Sequence, residues 1–380
     1  MKRVAAVILH VQLGESPGER LVEAGREAFT QDLVTTLRQA GVARIVVVTS
    51  DEEFTKQLES TGASIASSMS EEPFHFGKTI QRIIASEGLD GLLYFGSGTG
   101  GLLTVPQVKR LAQFSSRRER SALFNNFYSC DFAAIAGAKD LLKTELPPID
   151  NPLGLVLSDL GFPCSELPRN AATQFDIDTP TELLLLAAAD RGGEATRAFI
   201  EEQRLTSAAI PQLLERLVDR QAHIYLIGRL NPTTWSHFEG VVACRTSALV
   251  EGRGMRAYPD RQESMLRGFL EEVGTRRFFT WLGQRADGAI IDSRPLLSKG
   301  GRLPPASDRF ASDLLRLDQI QDLLWAQFTV EAAAAEIPIL LGGHCLVSGG
   351  LYLLADICWK DRDLPRRLHP DPFDWRKERQ

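Results

Sequence analysis

Phe175-Asp176-Ile177-Asp178-Thr179-Pro180-Thr181-Glu182-Leu183 is the most informative stretch of this 380-residue chain. Two carboxylates at i and i+2 of an extended segment project to the same side, one pleat apart. Oxygen pairs of this kind suit a hard divalent cation, so Asp176 and Asp178 are expected as metal ligands, with Mg2+ as the cation. Thr179-Pro180-Thr181-Glu182 then reads as a helix start, with proline in the first turn and an acid near the positive end of the helix. As local structure alone, the same residues are equally an acidic turn ahead of a capped helix.

Upstream, strand and helix patterns alternate. Apolar, β-branched runs at 4–9, 43–49, 91–95 and 132–136 read as strands. Helical patterns fall at 27–40, 54–60, 77–87 and 105–114, the last opened by Thr104 and Pro106. Such alternation predicts βαβ units, a mainly parallel sheet, and ligands at the carboxyl ends of its strands. The polar stretch 190–206 predicts a boundary between a domain over 1–200 and a second over 205–380. The second half restarts with a helix at 211–220. It continues with strand candidates at 223–227, 241–250, 288–291 and 337–341. Helices are expected at 262–273, 276–284, 306–315 and 320–335.

The pattern D-x-D-T-P-x-[DE]-L at 176–183 resembles the C-terminal signature of the MobA-like nucleotidyltransferases. That group includes molybdenum-cofactor nucleotidyltransferases and the guanylyltransferases for 2-phospholactate or phosphoenolpyruvate in deazaflavin cofactor synthesis. The resemblance covers roughly residues 1–195 and implies an α/β, GT-A-like (Rossmann-like), mainly parallel sheet with flanking helices, here followed by a second α/β domain. It implies nucleotidyl transfer from a nucleoside triphosphate to a small phosphorylated or hydroxylated acceptor. The chain departs from the family at two places. The loop after the first strand, His10-Val11-Gln12-Leu13-Gly14-Glu15-Ser16-Pro17-Gly18-Glu19-Arg20, keeps glycines and Arg20 for phosphate but lacks the family's lysine. Where the family has G-D-x-P-L-L, this chain has Gly96-Ser97-Gly98-Thr99-Gly100-Gly101-Leu102-Leu103-Thr104, without the metal-binding aspartate.

Taken by itself, the run of Gly96, Ser97, Gly98, Thr99 and Gly100 follows a strand and precedes a helix. Backbone N–H groups in such a loop form an anion-binding nest or, more plainly, a pliable connection. Asn126, Ser129 and Asp131 cluster before the strand at 132–136. They read as contacts to a base, a ribose or an acceptor, or as turn chemistry.

In the second half, four strand ends carry charged or titratable groups beside small residues. These are Gly228-Arg229, Glu251-Gly252-Arg253-Gly254-Met255-Arg256, Asp292-Ser293-Arg294 and Gly342-Gly343-His344. The layout suits a ligand cleft on an open α/β sheet. Arg229, Arg253, Arg256 and Arg294 are expected to bind anions, and His344 to act in acid–base chemistry. Asp308 and Arg309 either pair or face the cleft.

Composition narrows the function classes. Net charge is −6, which argues against nucleic-acid binding, and no apolar run approaches a membrane span. Residues 1–204 hold 20 basic and 27 acidic residues; residues 205–380 hold 23 and 22, with 20 of those 23 bases arginine. Five widely spaced cysteines without C-x-x-C argue against a disulfide framework or zinc ribbon and fit a reducing cytoplasm. The expected partner is a nucleotide or phosphorylated small molecule. Two readings stand: a Mg2+-dependent nucleotidyltransferase, and a catalytically impaired nucleotide- or anion-binding regulator with its main site in the C-terminal half.

Overall fold

The structure, a computed structural model, describes residues 2–59, 61–67, 74–252, 264–298 and 302–362. Buried apolar runs make the central strands of the first sheet: β1 (Val4–Leu9), β2 (Arg44–Thr49) and β4 (Gly91–Gly96). Shorter members are β3 (Ser64–Ser67), β5 (Ser121–Phe124), β6 (Phe132–Ala136) and β7 (Cys164–Glu166). The order is β3-β2-β1-β4-β6-β5-β7. Neighbours run parallel except at β6, which is antiparallel to both β4 and β5. Val7 pairs with Val46 on one side and Tyr94 on the other, so β1 is central. The expected α/β, GT-A-like sheet is therefore present. The short strands β3, β5 and β7 escaped the sequence reading because each has only three or four residues.

Helix α1 (Pro17–Gln39) begins ten residues before the expected start at 27. Ser16 and Glu19 form a capping box and Pro17 fills the first helical position. The last four residues of the stretch expected to cradle phosphate, Pro17–Arg20, thus form a helix N-terminus. The other helices of this half are α2 (Glu52–Glu59), α3 (Phe76–Glu87), α4 (Val105–Ser115), α5 (Leu153–Asp159), α6 (Ala171–Gln174) and α7 (Pro180–Ala189). The segment at 190–206, read as a polar connection, contains α8 (Glu194–Glu202). Asp32 on α1 caps it, accepting from the N–H groups of Gly193, Ala195 and Thr196 at 2.9–3.0 Å.

The second sheet is wholly parallel, in the order β11-β10-β8-β9. Its strands are β8 (His223–Gly228), β9 (Arg245–Val250), β10 (Gly288–Asp292) and β11 (Ile339–Gly342). The strand expected over 241–250 begins only at Arg245, because Val241 ends helix α10 (Pro232–Val241), capped by Asn231. Around the sheet lie α9 (Ala209–Leu217), α11 (Met265–Val273), α12 (Thr275–Arg285), α13 (Ser293–Leu297), α14 (Ala306–Asp313), α15 (Leu323–Ala333) and α16 (Gly349–Ile357).

One apolar core joins the halves. Phe29 of α1, Ile177 and Leu183–Leu186 pack with Ile224, Leu226, Ile290 and Leu340 of the second sheet and with α16. Helix α7 has apolar residues all round and is buried on nearly every side, the behaviour expected of a helix between two layers. Each such leucine contributes roughly 1.5–3 kcal/mol by leaving water.

Candidate functional site

The acid segment is the joint of the molecule. From the first sheet, Gly98 approaches so closely that a Cβ there would overlap the Asp176 carboxylate. Ile177 donates its N–H to the Gly98 carbonyl at 3.0 Å, and Thr99 and Asp176 form an antiparallel bridge. From the second sheet, Cys345 Sγ accepts from the Asp176 N–H at 3.2 Å. Thr181 Oγ1 donates to the Leu341 carbonyl at 2.6 Å. Helix α7 starts as its sequence dictates: Glu182 accepts from Thr179 N and Oγ1 at 2.7 and 2.8 Å, a capping box with Pro180 in the first turn.

Beside this joint a cleft of about 860 Å³ opens between the sheets. Its acidic wall comes from the first half: Asp131, Asp150, Asp176 and Asp178, with Asn126 and Ser129 beside them. Arg229, Arg294, Arg309 and His344 face them from the second half. A narrow recess in the floor brings Asp131, Asp176, Asp178 and His344 together.

The acids are crowded. Burial, and then the charges of Asp178 and Asp131, push the Asp176 carboxyl well above the usual carboxylate range. Burial likewise raises Asp150, although the Tyr94 hydroxyl donates to it. Asn125 holds Asp131 in place, donating to Oδ2 at 2.8 Å and accepting the Asp131 N–H at 3.0 Å. Asp178 has a cationic neighbour from α1: Arg26 lies 3.4 Å from its Oδ1 and donates through Nε to the Ile177 carbonyl at 2.6 Å. The sequence reading did not single out Arg26; an arginine within a long helix resembles any solvent-facing one.

The arginines behave differently from one another. Arg229 is clamped on the buried Asp292, Nε to Oδ2 at 2.7 Å and NH2 to Oδ1 at 3.0 Å. Arg294 is clamped on the buried Asp313, with both contacts at 2.6 Å. Both line the cleft, but each already carries a bidentate counter-charge, so neither is the open anion site expected of it. Asp308 does not pair with Arg309; it accepts the N–H groups of Gln321 and Asp322. Arg309 faces the cleft, and its Nε is buried without a hydrogen-bond partner among the described residues. Burial, and then the nearby Arg294 charge, lower its pKa to about 10. Arg253 and Arg256 lie outside the described residues.

Two further expectations land elsewhere. Arg20 sits in the first turn of α1, exposed and paired with Glu15, away from the residues that line the cleft. Gly96, Ser97, Gly98, Thr99 and Gly100 do not line it either. The N–H groups of Ser97 and Thr99 are engaged by the carbonyls of Leu9 and Gly96, and Gly100 packs on Phe95. The loop supports Asp176 from beneath instead of offering an open nest.

A second charged cluster lies outside the cleft, at the carboxyl ends of β1 and β2. His10, directly after β1, is buried against Glu23 and Glu27 of α1, with Asp51 nearby. Burial, and then the Arg26 charge, lower His10 to about 4. Burial, and then the charges of Asp51 and Glu23, raise Glu27 to about 8.

No family model matches the chain, and no curated protein matches it. Solved structures match about half of the chain at low similarity. A proposed nucleotide-diphospho-sugar transferase from Desulfovibrio desulfuricans G20 is 13% identical with a TM-score of 0.39, covering 55% of this chain and 100% of its own. A cytidylyltransferase from Leptospira borgpetersenii is 13% identical at a TM-score of 0.37, covering 54% and 94%. A nucleotidyl transferase from Methanothermobacter thermautotrophicus is 17% identical at 0.36, covering 53% and 99%. At these values the likeness is one of fold alone. The class defined by the strand order is α/β, with a GT-A-like first sheet. No helix among the described residues is long and apolar enough to cross a membrane.

Proposed function

We propose that the cleft binds a nucleotide or phosphorylated small molecule together with Mg2+, and that the protein is nucleotidyltransferase-like. On this reading residues 1–200 form the nucleotide-binding domain and residues 205–380 a second α/β domain closing the cleft. The observation that carries the proposal is the crowding of Asp131, Asp176 and Asp178 opposite Arg309. A buried carboxyl such as Asp176, raised first by burial and then by the charges of Asp178 and Asp131, is matched by a divalent cation, and all-oxygen donors fit Mg2+. Asp176 and Asp178 would hold the cation, which when bound supplies neutralisation of phosphate oxygens. Arg309 would meet a remaining phosphate oxygen. His344 would handle the acceptor proton, and Asn126 and Ser129 would orient the sugar or base. Arg229 and Arg294, fixed by their aspartates, would shape the wall. The reaction in view is attack by an acceptor phosphate or hydroxyl on the α-phosphorus of a nucleoside triphosphate, with pyrophosphate leaving.

A second reading is favoured by a specific observation: the glycine loop is engaged in packing and Arg20 lies away from the cleft, so the family's triphosphate cradle has no counterpart there. On it, the protein binds a phosphorylated ligand without turnover. Calorimetry with nucleoside triphosphates, with and without Mg2+, paired with a pyrophosphate-release assay over phosphorylated acids, separates the two. Mg2+-dependent binding with pyrophosphate release supports the enzyme; binding alone supports the regulator. No Mg2+-dependent binding of any phosphorylated compound overturns both.

A further inference from the structure

His10, Glu23 and Glu27 form a group with unusual geometry. His10 Nε2 lies 3.6 Å from Glu27 Oε1 and 3.8 Å from Glu23 Oε1, and the three donor atoms all lie within 4.8 Å of one another. These gaps are too long for hydrogen bonds. The His10 side chain is fully buried, and neither ring nitrogen has a hydrogen-bond partner among the described residues; nor has Glu23 Oε1. An imidazole sealed from water with both nitrogens unused is costly unless something fills the space it faces.

No side chain among the described residues comes within hydrogen-bond distance to fill it; the Glu27 carboxyl, which burial and its acidic neighbours raise to about 8, stops 3.6 Å away. Glu23 and Glu27 are i and i+4 on α1, on one helix face, where like charges repel. Asp51 and Glu53 add negative charge towards Glu27, and Glu15 towards Glu23. The nearby cation, Arg26, is committed to the Ile177 carbonyl and Asp178. The Phe54 ring, 4.8 Å away, packs on the imidazole and holds its orientation. The Glu23 and Glu27 side chains are 14% and 13% exposed, which leaves a path for an ion.

We propose that His10, Glu23 and Glu27 constitute a second cation site, separate from the cleft, that takes a first-row transition-metal ion of the zinc type. A nitrogen with two carboxylate oxygens suits zinc, at bonds of about 2.0–2.2 Å. Two such bonds at the tetrahedral angle span roughly 3.4 Å, so the observed gaps of 3.6 and 3.8 Å need to close by only a few tenths of an ångström. Three protein ligands leave a coordination position for water or an anionic ligand atom. The ion fastens α1 to the carboxyl end of β1.

The test uses the full chain, stripped with a chelator and titrated with Zn2+ against a chromophoric competitor, and separately with Co2+ for its absorption spectrum. One tight equivalent is expected, with a Co2+ spectrum of nitrogen–oxygen ligation. Glu23→Gln and Glu27→Gln each weaken binding by about tenfold or more. The double variant Asp176→Asn, Asp178→Asn still takes up one equivalent that Glu23→Gln weakens, since those acids lie outside the ligand set. Circular dichroism confirms folding, and Glu23, on the rim, carries the result if the His10 and Glu27 variants do not fold. Absence of Zn2+ uptake, uptake indifferent to Glu23→Gln, or thiolate charge-transfer bands from the free cysteines would each overturn the proposal.

Discussion

The two sheets treat charge at their strand ends in opposite ways. Beyond β8 and β10 of the second sheet, Arg229–Asp292 and Arg294–Asp313 are bidentate pairs, with both aspartates fully buried. At the first sheet, negative charge accumulates with less compensation: Asp150, Asp176 and Asp178 in the cleft, Glu23, Glu27 and Asp51 above β1 and β2. A buried pair satisfied within the protein is scaffold; removing one partner strands the other. A group of acids short of cations is instead arranged for something that arrives from solution. The cleft thus has a rigid, internally neutralised wall and an acidic wall awaiting positive charge, with Arg309 as the exception on the neutralised side.

That contrast can be broken most severely at Asp313. Asp313→Ala leaves the Arg294 guanidinium buried without its carboxylate and is expected to cost about 3–5 kcal/mol, read from the urea unfolding midpoint. A loss under about 1 kcal/mol would show that Arg294 is not held as scaffold. Next comes the acidic wall. Asp176→Asn with Asp178→Asn is expected to weaken Mg2+-dependent binding of a phosphorylated ligand about 100-fold, equivalent to about 2.7 kcal/mol, in calorimetry. Stability should hold or rise, because crowded charges are removed; equal affinity in the double variant would remove these acids from the metal site.

Arg309 sharpens the contrast from the other side. With its Nε buried and unbonded, Arg309→Gln is expected to leave the melting temperature level or higher while weakening anion binding about tenfold, or about 1.4 kcal/mol. A variant that melts lower and binds as before would make Arg309 a structural residue. The smallest effect belongs to Glu182. Burial first, and then the charge of Asp178, raise its carboxyl from the ordinary 4.5 to about 8. The folded state therefore holds this proton more firmly than the unfolded state. The contribution to stability is complete below about pH 4.5 and is lost as pH rises to about 8. Glu182→Gln keeps an acceptor for the Thr179 N–H and removes the charge. It should melt above the parent at pH 8.5, by roughly 2 °C, and level with it near pH 5. A parallel pH profile in both proteins would mean that Glu182 does not titrate in this range.

Much of the architecture was legible along the chain, because β-branched runs and capping signals are local. The strands at 4–9, 91–96 and 132–136 and the start of α7 at Thr179-Pro180 follow from patterns in the residues. The start of α1 was legible too, since Ser16-Pro17-Gly18-Glu19 is a capping box; the glycines and Arg20 drew attention to phosphate instead. Helix α16 and the short strands β5 and β7 were not, being short or uniformly apolar.

Residue types along the chain determined where charge and flexibility lie: carboxylates at 176 and 178, glycines at 96–101, arginines after the second sheet's strands. Whether each charge is available was decided only by the fold, because pairing depends on what comes within about 4 Å in space and not on spacing along the chain. Asp292 and Asp313 arrive 63 and 19 residues from the arginines they neutralise, and Arg26 reaches Asp178 across 152 residues. The same folding leaves Arg309 facing the cleft and seals His10 beside two glutamates, positions that no local pattern distinguishes from ordinary helix and strand-end residues.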